Sequence, residues 1–217
     1  MTVLLILALA IGIRHAFEPD HVAAVLTVST QSNSLTATAK QGAIWGVGHT
    51  ITLFFFSMLL MGLQIDIDKS VFISFECLVG IVLILMGFDV INKASLIRAR
   101  TTAHNLKPCD GSHKKTTLSL KALGIGLLHG AAGSGVIIAI VTTTIDSIYL
   151  KFAYIALFSV GLIIRMALLS MLMSVPLQRQ TKLLPSRYIK FIAGTIAILI
   201  GLKMLYVSGL QINTILI

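Results

Sequence analysis

Five ionisable side chains lie within eight consecutive positions near the start of the chain, where the sequence reads Arg14-His15-Ala16-Phe17-Glu18-Pro19-Asp20-His21. Mostly apolar residues flank this stretch on both sides, from 2 to 13 and from 22 to 29. The whole segment 2–29 is long enough to cross a bilayer, since a membrane helix needs about 20 apolar residues. Each charged group in the hydrocarbon costs at least about 2.5–3.5 kcal/mol, so this stretch requires compensating partners.

Pro19 predicts a break in this first helix, because proline lacks a backbone N–H and its ring clashes with the preceding turn. In an unbroken helix His15 and His21 would lie about 240° apart around the axis and would face different ligands. A break lets His15, Asp20 and His21 turn toward one point. Two imidazoles and a carboxylate suit a divalent transition metal.

The overall composition is that of a polytopic membrane protein. Of 217 residues, 56% are hydrophobic and 12% are charged, whereas about a quarter of the residues of a soluble domain are charged. This excludes a disordered chain, a nucleic-acid-binding arm and an ordinary cytosolic enzyme. We predict an all-α membrane protein with six transmembrane helices. The six segments are 2–29, 42–63, 71–91, 119–143, 152–173 and 191–209.

Lys and Arg residues in the connecting segments predict the orientation. The segments 31–41, 92–121 and 175–190 together hold 12 basic residues, whereas the other two connections hold only Lys69 and Lys151. The positive-inside rule therefore puts those three segments in the cytoplasm, with both termini outside the cell membrane.

A short internal similarity predicts that the chain is a single membrane domain made of two halves. Gly12-Ile13-Arg14-His15 resembles Gly126-Leu127-Leu128-His129, and a valine follows each histidine after seven residues, at Val22 and Val136. The two segments are three spans apart and cross the membrane in opposite directions, as in a 3+3 inverted repeat with its site near the midplane. The halves would be 1–91 and 119–217, joined by a basic cytoplasmic loop, 92–118.

The fourth span is predicted to break as the first does. Gly130, Gly133 and Gly135 follow His129, and glycine has a low helix propensity. An unwound segment would expose backbone carbonyls to an ion beside His129. Close helix packing through these glycines is the alternative.

Two motifs in the first 50 residues resemble a known family. His15-x4-Asp20-His21 with its preceding Arg14 is similar to the signature of the nickel/cobalt transporter family, the NiCoT or NicO permeases. Gly48-His49-Thr50 matches a second motif of that family in the following span. The fourth span lacks the later Asp-containing motif of the larger members and reads Leu128-His129-Gly130-Ala131-Ala132-Gly133-Ser134-Gly135. It looks more like the short, urease-accessory type of nickel permease.

The resemblance implies a permease rather than an enzyme. It would move Ni²⁺, or Co²⁺ as second choice, across the cytoplasmic membrane, with the ion as substrate and no resident cofactor. The inside-negative potential, worth about 2.3 kcal/mol per charge per 100 mV, favours uptake. The expected partners are the lipid bilayer and a cytoplasmic metallochaperone or urease or hydrogenase maturation protein, but not nucleic acid. The candidate metal ligands are His15, Asp20, His21, His49 and His129, and the candidate supporting residues are Arg14, Glu18, Thr50 and Asp89.

Two carboxylates on the spans have candidate basic partners one helical turn away. Glu18 is expected to pair with Arg14, in preference to binding the metal itself, and Asp89 is expected to pair with Lys93 or to draw cations along an exit path. Arg165 lies within the fifth span and requires an anionic partner, for which Asp89, Glu18 and Asp20 are all available.

Two further groups are outside the predicted centre. Glu76 starts the third span and is expected at the membrane interface. His104, Cys109 and His113 lie in the basic loop, where a solvated loop is expected rather than a metal site.

Two other functions remain open from the residues alone. A His-x4-Asp pair such as His15 and Asp20 is also the catalytic dyad of membrane acyltransferases, in which the histidine acts as a base. A proton- or anion-coupled transporter would use the histidines as a proton relay and Arg14 or Arg165 for an anion.

Overall fold

The computed structural model describes residues 2–30, 34–63, 67–101, 112–178 and 186–216. These residues form helices joined by short connections, and no strand occurs among them, so the predicted all-α class is confirmed. The elements are α1 (Thr2–His15), α2 (Pro19–Ser29), α3 (Leu35–Ser57) followed by a π-helical turn (Met58–Gly62), α4 (Lys69–Thr101), α5 (Ser112–Thr144), α6 (Ile148–Gln178) and α7 (Ser186–Leu216).

Several of these helices are long and apolar enough to cross a bilayer. Four qualify singly, and α1 with α2 qualifies as a pair bent by 58°. The chain is therefore that of a multi-pass membrane protein, in which four helices of the described ranges could each span a bilayer, or five when the bent pair counts as one. The four single spans are Leu35–Gly62, Lys69–Ser95, Ile148–Val175 and Arg187–Asn213. Helices α4 and α5 also extend into the predicted loop 92–118, which places residues 92–101 and 112–118 in helix.

The first helix breaks where the sequence predicts. Helix α1 ends at His15, and the backbone N–H groups of Phe17 and Glu18 donate to the carbonyls of Arg14 and His15, at 2.9 and 3.0 Å. Helix α2 then begins at Pro19. Proline is well placed at the first helical position, where its missing N–H would have no partner in the helix.

The predicted break in the fourth span is wrong, because α5 runs from Ser112 to Thr144 without interruption. Two of its glycines, Gly126 and Gly130, instead let the α5 backbone touch α3. A Cβ on Gly126 would overlap the carbonyl oxygen of Trp45, and one on Gly130 would lie 2.5 Å from that of His49. Packing against α3 therefore outweighs the low helix propensity of glycine.

Helices α4 and α7 also pack through glycine. A Cβ on Gly80 would lie 2.9 Å from the carbonyl oxygen of Gly201, and one on Gly87 would lie 2.6 Å from that of Gly194. Small residues at such contacts let backbones approach closely, and dispersion then holds the helices together where lipid supplies no hydrophobic drive. Glycine contacts therefore hold α4 against α7 as they hold α3 against α5.

We predict that Gly126→Ala lowers the midpoint of thermal unfolding in detergent by about 3–10 °C. An added methyl would collide with the carbonyl of Trp45, and overpacking costs about 1–3 kcal/mol. The matched control is Gly124→Ala on the same helix, where no heavy atom lies within 4 Å of the new Cβ. Alanine favours the helix there, so this variant should unfold no earlier than wild type. Equal midpoints for the two variants would contradict the α3–α5 contact.

Candidate metal centre

Four histidine side chains meet in the interior of the helical bundle, between α1, α2, α3 and α5. His15, His21, His49 and His129 are 8%, 1%, 0% and 1% exposed. The ring centroids of His15 and His21 are 4.7 Å apart, and each lies 5.4 Å from the ring of His49. The His129 ring lies 5.3 Å from that of His21. The structure thus brings together the four histidines that the sequence singled out.

Three of the four imidazoles are held through Nδ1 by an oxygen atom. The donor–acceptor pairs are His15 Nδ1 to Glu18 Oε1 at 2.7 Å, His21 Nδ1 to Asp20 Oδ2 at 3.1 Å, and His129 Nδ1 to the Ile125 carbonyl at 2.9 Å. A carboxylate or carbonyl oxygen accepts only, so each Nδ1 carries the proton. In the neutral imidazole the lone pair is then on Nε2, the atom that binds a metal.

The Nε2 atoms of this cluster are buried and have no hydrogen-bond partner among the described residues. This is true of Nε2 in His15, His21 and His129. Both ring nitrogens of His49 are also buried and have no partner among the described residues. Ligand atoms of His15, His21 and His49 all lie within 4.8 Å of one another. An unsatisfied buried polar group costs about 1–3 kcal/mol. Several such lone pairs in one place are therefore typical of a site for a cation.

Asp20 joins the cluster at its edge. Its Oδ2 lies 4.0 Å from Nε2 of His129, and both atoms are acceptors, so neither can donate a hydrogen bond to the other. Metal–nitrogen and metal–oxygen bonds in proteins are each about 2.0–2.2 Å. A divalent ion could bind both atoms with little movement, and the carboxylate would offset part of its charge.

Glu18 does not form the expected ion pair with Arg14. Its carboxylate accepts from His15 instead, and Arg14 is exposed. The physical reason is the break after α1, which turns Glu18 back over His15 rather than placing it one helical turn beyond Arg14. Glu18, Asp20 and His21 also form a second group whose ligand atoms lie within 4.8 Å of one another. Glu18 is therefore placed both to orient His15 and to approach a cation.

Trp45 forms one wall of the cluster and was missed by the sequence analysis. It is the only tryptophan of the chain and is 2% exposed. Its ring centroid lies 4.8 Å from that of His21, 5.5 Å from that of His49 and 5.1 Å from that of His129. The spacing of Trp45 and His49 could have revealed this, since residues four apart lie on the same face of a helix.

The other predicted supporting residues have different positions. Thr50 follows His49 and its buried hydroxyl has no partner in the described structure. The side chain of Asp89 is partly exposed and pairs with Lys93, as one of the two expectations had it. Arg165 has no anionic partner among the described residues, and its guanidinium lies 3.9 Å over the ring of Phe17, a cation–π contact in place of the expected ion pair. The side chains of His104, Cys109 and His113 lie outside the described residues.

Comparison with known proteins identifies a relative along almost the whole chain. The sequence is 32% identical over 212 residues to the urease accessory protein UreH of Bacillus sp. (strain TB-90), covering 95% of this chain and 92% of that protein. No protein-family model and no solved structure matches it.

Two proteins of Arabidopsis thaliana match part of the chain. Chloroplast protein FOR GROWTH AND FERTILITY 2 is 24% identical over 151 residues, and FOR GROWTH AND FERTILITY 1 is 27% identical over 157 residues. Each alignment covers 68% of this chain but only 40% and 43% of those proteins. The alignment with UreH, in contrast, covers nearly the full length of both proteins. The chain therefore belongs to the UreH-like family, the short urease-accessory type that the sequence of its fourth span predicted.

Proposed function

We propose that this protein is a membrane permease for a divalent transition-metal ion, Ni²⁺ in the first place and Co²⁺ in the second. One observation carries the proposal: four buried imidazoles converge inside the bundle with unpartnered Nε2 atoms. Neutral imidazole is a favoured ligand for nickel, copper and zinc. The relationship to a urease accessory protein supports a metal-related role.

The proposed ligands are His15, His21, His49 and His129, with Asp20 supplying a negative charge. Glu18 and the Ile125 carbonyl would act on the metal indirectly, because they hold Nδ1 of His15 and His129. Such partners fix the tautomer and the direction of the ring, and a carboxylate also makes the imidazole more basic. The apolar wall of Trp45 and the burial of the rings would keep water from an ion that has lost its hydration shell.

We infer six passes through the membrane, with α1–α2 as one pass and α5 as another. Contacts between helices support alternating directions. Along α1–α2 and α6 the contacts run in the same order, from Phe17 with Arg165 to Ser29 with Ser170. Helices α3 and α5 are also parallel, since Gly126 meets Trp45 and Gly130 meets His49. Six consecutive passes require the first to be parallel to the fifth and the second to the fourth.

Matching contacts support a 3+3 inverted repeat of 1–91 and 119–217. Gly12 packs against the backbone of Phe158, and Gly126 packs in the same way against Trp45. Three residues after each glycine is a histidine whose ring contacts the same aromatic residue: His15 with Phe158 at 5.5 Å, and His129 with Trp45 at 5.1 Å. In each half, the first span therefore packs on the second span of the other half through the same contacts, a glycine on backbone and a histidine ring on an aromatic ring. Inverted repeats are expected to share contacts in this way.

Two open cavities lie at opposite ends of α2 and suggest the path of the ion. One is lined by Glu18 and Asp20, and the other, of about 440 Å³, by Val28, Asp89 and Lys121. Asp20 and Val28 are about 12 Å apart along the helix axis. Between these two positions an apolar cluster packs around α2 and would close the path. Its members are Ala23, Ala24, Val79, Leu83 and Ala197. Movement of one half against the other would open the two cavities in turn.

The proposed orientation puts the Asp89 cavity on the cytoplasmic side, where most of the basic residues lie, and both termini outside the cell membrane. The membrane potential then drives a cation inward. A metallochaperone or a urease or hydrogenase maturation protein would receive the ion at that face.

The two alternative functions, a membrane acyltransferase and a proton- or anion-coupled transporter, are not favoured. An acyltransferase dyad would pair His15 with Asp20, but His15 donates to Glu18. An anion carrier would need an arginine in the centre, and Arg165 lies over Phe17 instead.

We predict that His49→Leu abolishes accumulation of radioactive nickel in cells without destabilising the protein. Leucine removes two buried nitrogen atoms that have no partner, so the midpoint of thermal unfolding in metal-free detergent should equal or exceed that of wild type. Thr52→Val on the same helix is the control, because the Thr52 hydroxyl donates to the Gly48 carbonyl one turn earlier in that helix. Cells with this variant should take up nickel normally. Normal uptake by His49→Leu at normal membrane levels would refute the proposed permease site.

We predict that Ni²⁺ quenches the tryptophan fluorescence of the purified protein at saturating concentration. Trp45 is the only tryptophan and contacts three of the four histidine rings, so a transition metal among those rings would deactivate its excited state. Mg²⁺ is the control, because it prefers oxygen ligands and retains its water. Equal quenching by Mg²⁺, or unchanged quenching by Ni²⁺ in a His21→Ala variant, would contradict a metal site beside Trp45.

We predict that Glu18→Ala weakens Ni²⁺ binding by about 10–100-fold, the usual effect of removing the partner that orients a metal-binding histidine. Glu18→Gln should lose less, because an amide oxygen still accepts from Nδ1 of His15. The measurement is the Ni²⁺ concentration that half-quenches Trp45. If both variants bind as wild type does, Glu18 does not orient His15.

A further inference from the structure

An open cavity of about 260 Å³ lies beside the histidine cluster, between α2, α4, α5 and α7. Its charged lining consists of three carboxylates and one ammonium group. Those residues are Glu18, Asp20, Glu76 and Lys203. Three acids and one base give this lining a formal charge of minus two, which matches a divalent cation.

Two carboxylates that line this cavity also contact the histidine cluster. Asp20 and Glu18, two of the lining carboxylates, accept from His21 and His15. The unpartnered Nε2 atom of His129, on a residue that is 1% exposed, lies 4.0 Å from Asp20. An ion in the cavity would therefore be one short step from lone pairs that have no other partner.

Glu76 is the carboxylate that the histidine cluster does not use. It lies on α4 and is partly buried, and its Oε2 accepts from the hydroxyl of Ser208 on α7 at 3.1 Å. This hydrogen bond holds the carboxylate across the gap between the two helices. A carboxylate offers about four lone-pair positions, so most of its capacity is left for a cation or its water. The sequence predicted only that Glu76 lies at the membrane interface, and it did not predict a role in binding a cation.

We propose that Glu18, Asp20 and Glu76 form a vestibule that captures a hydrated divalent cation and passes it to the imidazoles. The inference rests on the proposed permease function and assigns a route to the same site. Six waters of a hydrated ion occupy about 180 Å³ at roughly 30 Å³ each, so the cavity accommodates the ion with its shell. Carboxylate oxygens bind such an ion through water, and the imidazoles then replace the water.

The vestibule acts on the rate of association rather than on the strength of the final site. A cleft lined by charge of one sign raises the local concentration of a counter-ion and its rate of association. The Lys203 ammonium group opposes this attraction and therefore lowers the rate at which a cation is captured. Removal of Glu76 and removal of Lys203 should therefore have opposite effects on association, an outcome that general loss of structure does not produce.

The test is stopped-flow quenching of Trp45 by Ni²⁺ in the full-length purified protein at low ionic strength. Glu76→Gln should lower the association rate constant by about threefold or more, and Lys203→Gln should raise it by a similar factor. Dissociation, measured by mixing the loaded protein with a chelator, should be unchanged in both. Both differences should shrink in high salt, which screens charges.

The matched controls are Asp68→Asn and Lys69→Gln, which change the same charges at the start of α4. Both residues are exposed and neither lines the cavity. Asp68 accepts the backbone N–H of Ser70 at 2.8 Å, and asparagine preserves such a cap. Both controls should associate with Ni²⁺ as wild type does.

The outcomes separate the vestibule from the proposed function. Suppose that Ni²⁺ quenches wild type. The vestibule is then wrong if Glu76→Gln and Lys203→Gln have the wild-type association rate constant, if both variants change it in the same direction, or if they change only dissociation. None of these three outcomes would contradict the permease site. Equal effects of the surface controls would overturn the vestibule as well. If Ni²⁺ does not quench wild type at all, the metal site itself is refuted.

Discussion

The break between His15 and Pro19 is the constraint on which the centre depends. It ends one helix and starts another within four residues, and the two helices meet at 58°. Because of this bend His15 and His21 face one another rather than opposite sides of a straight helix. The same turn carries Glu18 back to the Nδ1 atom of His15. A continuous helix through this segment would separate the ligands and leave the carboxylate without its imidazole.

Unpartnered polar atoms at the centre are balanced by tight packing around it. Several imidazole nitrogens have no hydrogen bond within the described bundle, and each costs stability. Glycine contacts at Gly12 and Gly126 bring backbones together on the two sides of the cluster, so dispersion and close fit hold the rings in place. A site that is costly when empty is stabilised when an ion binds, since a ligand that binds only the folded state adds to its stability.

Much of the centre could be predicted from local chemistry. A proline inside a polar stretch implies a broken helix, and histidines in apolar segments imply an interior site, whatever the rest of the chain does. Other features depend on neighbours that are distant in sequence. The glycines that follow His129 were interpreted as a weak point, but Gly130 packs on α3, Gly133 lies beside His15 and Gly135 lies beside Phe72. Arg165 was expected to find an acid and lies over Phe17. Trp45 and Glu76 acquire their positions only when α3 and α4 pack beside α2.

The amino-acid sequence by itself determined the apolar helices, the break before Pro19, the set of histidines and the family, because each follows from residue chemistry and short spacings. Only the tertiary structure decided that α5 stays continuous, that Glu18 holds His15, and that Trp45 and Glu76 lie next to the centre. The reason is physical: helix propensity and turn chemistry act over a few residues, whereas these contacts depend on which helices touch. That choice is made by the fit of whole surfaces, such as glycine on backbone, which no single segment contains.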